Sequence, residues 1–110
     1  MNIKTKAMSY LFFDTETTGL PLRWNAPITD VANWPRLVQL AWIVYDTEKH
    51  ITSKRNAIIR PEGYTIPVEA ARIHGITTQV ALEKGESLQE VLEEFSAEID
   101  KAQVLVGHNI

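Results

Sequence analysis

The chain contains no cysteine. That excludes a disulfide framework, a thiolate zinc site and a cysteine nucleophile, and it suits a reducing cytosol, so a cytoplasmic location is expected. Long apolar runs are also missing: none approaches the roughly 20 residues of a membrane span. The two lysines near the N-terminus are not followed by the apolar core of a signal peptide. Nor is there an excess of basic residues, since 11 Lys and Arg stand against 14 Asp and Glu, for a net charge of −3. The composition therefore lacks the basic footprint of a protein that wraps duplex DNA. An enzyme that holds phosphates through metal ions and a few local cations remains compatible, because its acidic site lowers the net charge. What is present is an ordinary globular balance, 45% hydrophobic and 23% charged in 110 residues. This argues against disorder and for one domain or part of one.

Hydrophobic patterning divides the chain into a few elements. Residues 9–14, Ser-Tyr-Leu-Phe-Phe-Asp, read as a buried strand ending at a carboxylate. Three Pro, two Asn and two Trp without periodicity make residues 19–35 a long loop, a kind of segment that is usually functional inside a compact domain. Residues 37–46 and 51–59 read as two further strands around a polar turn, hence an antiparallel hairpin. Pro67 suits the start of a short helix over 68–73, and Gly75 suits its left-handed end. Ser87-x-x-Glu90 is a capping-box pattern, and Leu88, Val91, Leu92, Phe95 and Ile99 follow at helical spacing, which predicts a helix over 87–100. Residues 103–106 are a fourth strand, leading into Gly107-His108-Asn109-Ile110. Three strands, a helix and a strand predict an α/β domain with a mixed sheet.

The most informative stretch is Asp14-Thr15-Glu16-Thr17-Thr18-Gly19-Leu20. Two acids two residues apart share a face in extended chain. Placed side by side they repel, and they must share a proton or bind a cation. All-oxygen sites of this kind suit Mg²⁺ or Mn²⁺, and two such ions about 3.5–4 Å apart serve phosphodiester hydrolysis. Thr17, Thr18 and Gly19 add hydroxyls, backbone N–H groups and room for a substrate. A bare Asp-x-Glu would more often be a solvated turn, because Asp, Thr and Gly are good turn residues. The whole string behind an apolar strand is far more specific.

Phe13-Asp14-Thr15-Glu16-Thr17-Thr18-Gly19-Leu20 resembles, without a gap, the first motif of the DEDD (DnaQ-like) 3′–5′ exonuclease superfamily. Members include the proofreading subunit of bacterial replicative DNA polymerase and ribonuclease T. Ile73-His74-Gly75-Ile76-Thr77 is similar to the loop beside the terminal nucleotide in the branch with a catalytic histidine. Val106-Gly107-His108-Asn109-Ile110 is similar to the opening of the second motif, so the resemblance covers roughly residues 9–110. It implies a ribonuclease H-like mixed sheet flanked by helices, with three antiparallel strands and a fourth parallel to the first. It implies that Asp14 and Glu16 are catalytic and bind two Mg²⁺ or Mn²⁺ ions, and that Glu16 and the Thr17 backbone approach the 3′ end. Leu20 would pack on the terminal base, His74 would lie near the terminal sugar or base, and Asn109 would belong to the motif that positions the next acid. The implied partner is nucleic acid with a free 3′ end, single-stranded, and a DNA polymerase subunit is a further candidate. A third Asp, a His or Tyr base and a fourth Asp are expected in the family after Asn109, beyond the 110 residues. The expectation is therefore the N-terminal part of one exonuclease domain, inactive alone and prone to self-association through an uncovered sheet face. The alternatives are a non-catalytic nucleic-acid-binding or scaffold domain on the same fold and an unrelated metal phosphatase.

Other residues have blander readings. His50 is expected to be exposed in a turn. His74 has the alternative of capping helix-end carbonyls, and His108 that of bonding backbone at the strand end. Trp24 and Trp34 stack unpaired bases or else form a small satellite core. Trp42 alternates with Leu40 and Val44 and belongs to the main core. Arg23, Arg36, Lys54 and Arg55 reach phosphates or are plain surface.

Overall fold

A computed structural model describes residues 7–108. The elements in chain order are β1 (Ser9–Thr17), β2 (Leu37–Asp46), β3 (His50–Ile58), α1 (Val68–His74), α2 (Thr78–Lys84), α3 (Leu88–Lys101) and β4 (Val104–His108). The four strands form one sheet in the order β3-β2-β1-β4. β1 and β2 pair antiparallel, as do β2 and β3, while β4 lies parallel to β1. The expected mixed, ribonuclease H-like sheet is thus the one formed. A parallel β4 requires a crossover rather than a hairpin, and the segment holding α1, α2 and α3 supplies it.

Alternation along the strands sorts residues onto two faces. Leu11 lies opposite Val44, Phe13 opposite Trp42 and Thr15 opposite Leu40. These residues face α3, where Leu11, Leu40, Trp42, Val44, Ala57, Ile59 and Val91 form one buried cluster, with Phe95 and Ile99 packed on it. Phe95 meets the Phe13 ring edge-on at 5.5 Å and the Trp42 ring at 5.2 Å. Each fully buried Leu or Val of such a cluster stabilises by about 1.5–3 kcal/mol. The Trp42 assignment to the core therefore holds, although its Nε1 is enclosed without a hydrogen-bond partner among the described residues. A second cluster of Val38, Ile66, Ala70, Ile76 and Ala81 seats α1 and α2.

Helix ends follow the expected chemistry with one omission. Ser87 Oγ accepts from the Glu90 N–H at 3.4 Å and starts α3. Pro67 caps α1 from just outside rather than occupying its first turn, and Gly75 ends it with φ 78°. The short α2 was not expected. Its start is set by Thr77 Oγ1 accepting from the Val80 N–H at 3.2 Å, and only Ala81 of its residues is buried. So brief an apolar stripe carries no period, and tertiary packing decides it. Among the described residues no helix is long and apolar enough to cross a membrane.

Candidate active site

β1 runs past Asp14 to Thr17, longer than the apolar run suggests, because Thr15 and Glu16 continue the ladder opposite Leu40 and Gln39. Asp14 lies opposite Ala41, on the same face as Glu16 and as Phe12, which lies opposite Ile43. This is the face turned away from α3. The register slips between Glu16 and Thr17, and such a bulge ends regular pairing and re-aims the side chains beside it. Two carboxylates thus leave one face at the C-terminal end of the first strand.

The environment of these acids is open. The Asp14 side chain is 46% exposed, and its Oδ1 lies 3.3 Å from Nδ1 of His108. That contact exists because β4 pairs parallel with β1 and sets Asp14 directly beside His108. The expectation that His108 bonds backbone is corrected here: its imidazole meets a carboxylate across the strand pair. Among the described residues neither Asp14 nor Glu16 is within ion-pair distance of a Lys or Arg. A broad depression of about 650 Å³ opens beside Asp14, lined by Phe12, Ile43, Lys54, Val106 and His108 among others. Oxygen donors without cationic partners suit a hard divalent ion. Among the described residues, however, no group of three His, Cys, Asp or Glu gathers closely enough to hold one. The two acids fit such an ion in donor type and would supply part of its shell.

The other expected residues have distinct surroundings. Thr17 Oγ1 donates to the Gly19 carbonyl at 2.9 Å, a local turn that leads the chain out of the strand. Thr18 closes the base of the following loop, with its N–H donating to the Arg36 carbonyl at 3.0 Å and its Oγ1 accepting from the Arg36 N–H at 2.8 Å. Gly19 has φ 143°, a backbone that side-chain-bearing residues avoid, and nothing lies within 4 Å of where a Cβ would sit. Leu20 is 79% exposed, with no core to fill. His74 is not joined to the carboxylates by any hydrogen bond. Its Nδ1 accepts from the Ile76 N–H at 3.1 Å, so the proton resides on Nε2, which is enclosed without a partner among the described residues. The capping expectation for His74 is corrected in its sense, because the ring receives an N–H instead of donating to a carbonyl. Asn109 lies outside the described residues.

The basic candidates separate by face. Lys54 lies opposite Ile43 on the carboxylate face and lines the depression. Arg55, next in sequence, points the other way. It forms a fork on Glu86 at 2.6 and 2.9 Å and bonds Glu94 at 2.6 Å, tying β3 to the segment ahead of α3 and to the middle of that helix. These carboxylates hold the Arg55 guanidinium above its already high value, and Arg55 in turn holds Glu86 below the ordinary Glu range. Arg55 is therefore structural, not a phosphate contact. Arg36 lies over the Tyr64 ring at 5.4 Å. His50 starts β3 with φ 63° and is exposed as expected, its ring against Tyr45.

A four-stranded mixed sheet with a carboxylate pair at the end of its first strand defines a ribonuclease H-like fold of the kind that houses metal-assisted nucleases. The profile of the exonuclease family that takes its name from RNase T matches residues 11–110, and the chain belongs to this family, the DEDD exonucleases. Among solved structures it is similar to E. coli exonuclease I in complex with a 5cy-dT13 oligonucleotide, at 25% identity and a TM-score of 0.71, covering 93% of this chain and 21% of that one. It is also similar to the product-bound structure of exonuclease I, at 26% identity and a TM-score of 0.71, covering 93% and 22%. The moderately thermophilic exonuclease I from Methylocaldum szegediense gives 26% identity and a TM-score of 0.72, covering 93% and 20%. No curated protein matches the chain. The chain spans about a fifth of the length of the solved structures it resembles.

Proposed function

We propose that the whole protein hydrolyses phosphodiester bonds at the 3′ ends of single-stranded nucleic acid with the help of two Mg²⁺ or Mn²⁺ ions. The observation that carries this reading is the placing of Asp14 and Glu16 on one open face at the end of β1, with no Lys or Arg partner among the described residues. Asp14 and Glu16 would hold the ions. When bound, these supply Lewis-acid stabilisation of charge on the phosphate and on the leaving 3′ oxygen. His108 steadies the Asp14 carboxylate through the 3.3 Å contact. The turn Thr17-Thr18-Gly19 leaves open space above Gly19 for the terminal nucleotide, and the exposed Leu20 side chain offers its base an apolar surface. For His74 to meet the terminal sugar its ring must rotate outward and give up the Ile76 bond. Asn109 follows His108 directly in sequence and is proposed to belong to the motif that positions the next acid. The oligonucleotide and product bound by the exonuclease I structures support a nucleic-acid strand as the substrate.

Residues 1–110 are proposed to form the N-terminal part of the exonuclease domain, with the general base and the remaining acids supplied by other chain. A polymerase subunit is a candidate partner of the whole protein. The test is digestion of 3′-labelled single-stranded DNA and RNA by the whole protein with Mg²⁺ or Mn²⁺. Stepwise shortening from the 3′ end is expected in wild type and none in Asp14→Asn. Binding without shortening would instead mark a non-catalytic nucleic-acid-binding domain.

A further inference from the structure

The loop between β1 and β2 is ordered at its centre yet bare at its surface. Asn33 is 5% exposed, and it is the sole buried polar residue among those described. Its Oδ1 accepts from the Arg23 N–H at 2.7 Å, and its Nδ2 donates to the Arg23 carbonyl at 2.9 Å. The Leu22 N–H donates to the Asn33 carbonyl at 3.1 Å, and Trp34 Nε1 donates to the Pro27 carbonyl at 2.8 Å. These bonds fix the backbone directly before Trp24. With the Thr18–Arg36 clamp they tie the two arms of the loop together from its base to Trp24. Despite this order Trp24 is 74% exposed and Leu22 81%. Leu20, Ile28 and Val31 of the same loop are exposed as well, and exposed apolar side chains gathered on one segment mark an interaction site.

From this geometry we propose that Trp24, flanked by Leu22 and the exposed Arg23 guanidinium, is a stacking platform for unpaired bases upstream of the 3′ terminal nucleotide. The proposal rests on the functional reading above. Three observations select a nucleic-acid strand over a protein. The platform is rooted on Thr18, at the end of the strand that carries the carboxylates. The loop carries two Arg against one Asp in a chain of net charge −3, and the Arg23 guanidinium, although 3.9 Å from Asp30, stays 69% exposed and accessible to phosphate. The exposed indole has a π-face that stacks on any base, and a guanidinium beside it neutralises the adjoining phosphate. Trp24 lies eight residues beyond Glu16 in the chain, so the platform lies at most about 28 Å from that acid. At a stacked spacing of about 3.4 Å it contacts a base within roughly the last eight nucleotides.

The experiment compares Trp24→Ala, Trp24→Phe and wild type in the whole protein on two substrates. One is a single-stranded oligonucleotide of about a dozen residues, longer than this reach, made as DNA and as RNA. The other is a chromogenic thymidine 5′-phosphate ester, which carries the terminal nucleotide alone. Trp24→Ala is expected to raise KM for the oligonucleotide about tenfold, with kcat held, to leave the ester rate unchanged, and to leave Tm unchanged. Trp24→Phe restores most of the affinity. Unchanged KM on both oligonucleotides overturns the platform, and so does equal loss on the ester or a lowered Tm, because each assigns Trp24 to packing. A wild type that cleaves neither substrate overturns the functional reading itself, and that failure shows before any variant is made.

Discussion

The two faces of this sheet are made by the same strands and differ in what alternate residues are asked to do. On the α3 side, Leu11, Trp42 and Leu40 are essentially buried, and Phe95 and Val91 complete the packing. On the other side, Phe12 remains 43% exposed, Ile43 38% and Val106 39%, and the carboxylates of Asp14 and Glu16 stand among them. One face stores stability and the other carries the acids proposed for the chemistry. A carboxylate on the covered face would lose its hydration without a partner, a cost that only the open face avoids. The contrast teaches that a one-residue shift of register would exchange core for site along the whole of β1.

The largest expected effect tests the open face. In the whole protein, Asp14→Ala or Glu16→Ala lowers exonuclease activity by more than the roughly 10–100-fold cost of losing an outer-shell partner of a metal site, while stability stays level or rises. Rates on 3′-labelled single strands and thermal melts measure the two together. Wild-type rates in both variants would detach the acids from the reaction.

Next comes the covered face. Leu11→Ala should destabilise by about 2–5 kcal/mol, because a buried side chain leaves a cavity under α3. Phe12→Ser, one residue away on the open face, should cost far less. Urea unfolding of both variants breaks the comparison if their losses are equal. The same open face predicts that residues 1–110 alone self-associate and digest no nucleic acid. Phe12→Ser combined with Ile43→Ser should then shift the fragment towards monomer in size-exclusion chromatography. A monomeric wild-type fragment with a sharp melt and metal-dependent 3′ digestion would overturn this.

A smaller effect lies at the edge of the covered face. Arg55→Ala removes the fork to Glu86 and the bond to Glu94, whose side chains are 43% and 47% exposed, so the loss should be about 1–2 kcal/mol after solvent screening. Arg55→Lys keeps the charge but not the planar fork and should recover only part of it.

The smallest effect is its pH dependence. Glu86 is held below its ordinary value of 4.5 by Arg55. Its contribution is therefore complete above that value and is lost as pH falls through the lower folded value. The stability difference between wild type and Arg55→Ala should be full near neutral pH and shrink in acid. A difference that grows on acidification would contradict the pairing.

Much of this architecture was legible before any coordinates. Asp14 and Glu16 share a face because extended chain has a period of two, whatever surrounds it. In α3, Leu88, Val91, Phe95 and Ile99 declare the buried side through spacings of three and four, while Leu92, the fifth apolar residue of the expected stripe, is 43% exposed. Ser87 and Gly75 marked helix ends through cap chemistry that is local to a few residues. The seven residues of α2 escaped notice because one buried alanine makes no pattern. The opposite fates of Lys54 and Arg55 are not legible either, since adjacent cations look alike until the segment ahead of α3 supplies Glu86 and α3 itself supplies Glu94 on one side only.

The sequence by itself determined the strands, the main helix and the common face of the two acids, which follow from chain geometry over short stretches, and it carried the motif by which the chain resembles its family. Only the tertiary structure decided which face of the sheet α3 covers, and so which alternate residues became core. It alone set His108 beside Asp14, because parallel pairing joins residues that are far apart in the chain. It alone made Asn33 the anchor of the long loop and left Trp24 bare. These are contacts between distant segments, and they depend on register and crossover, which no local spacing encodes.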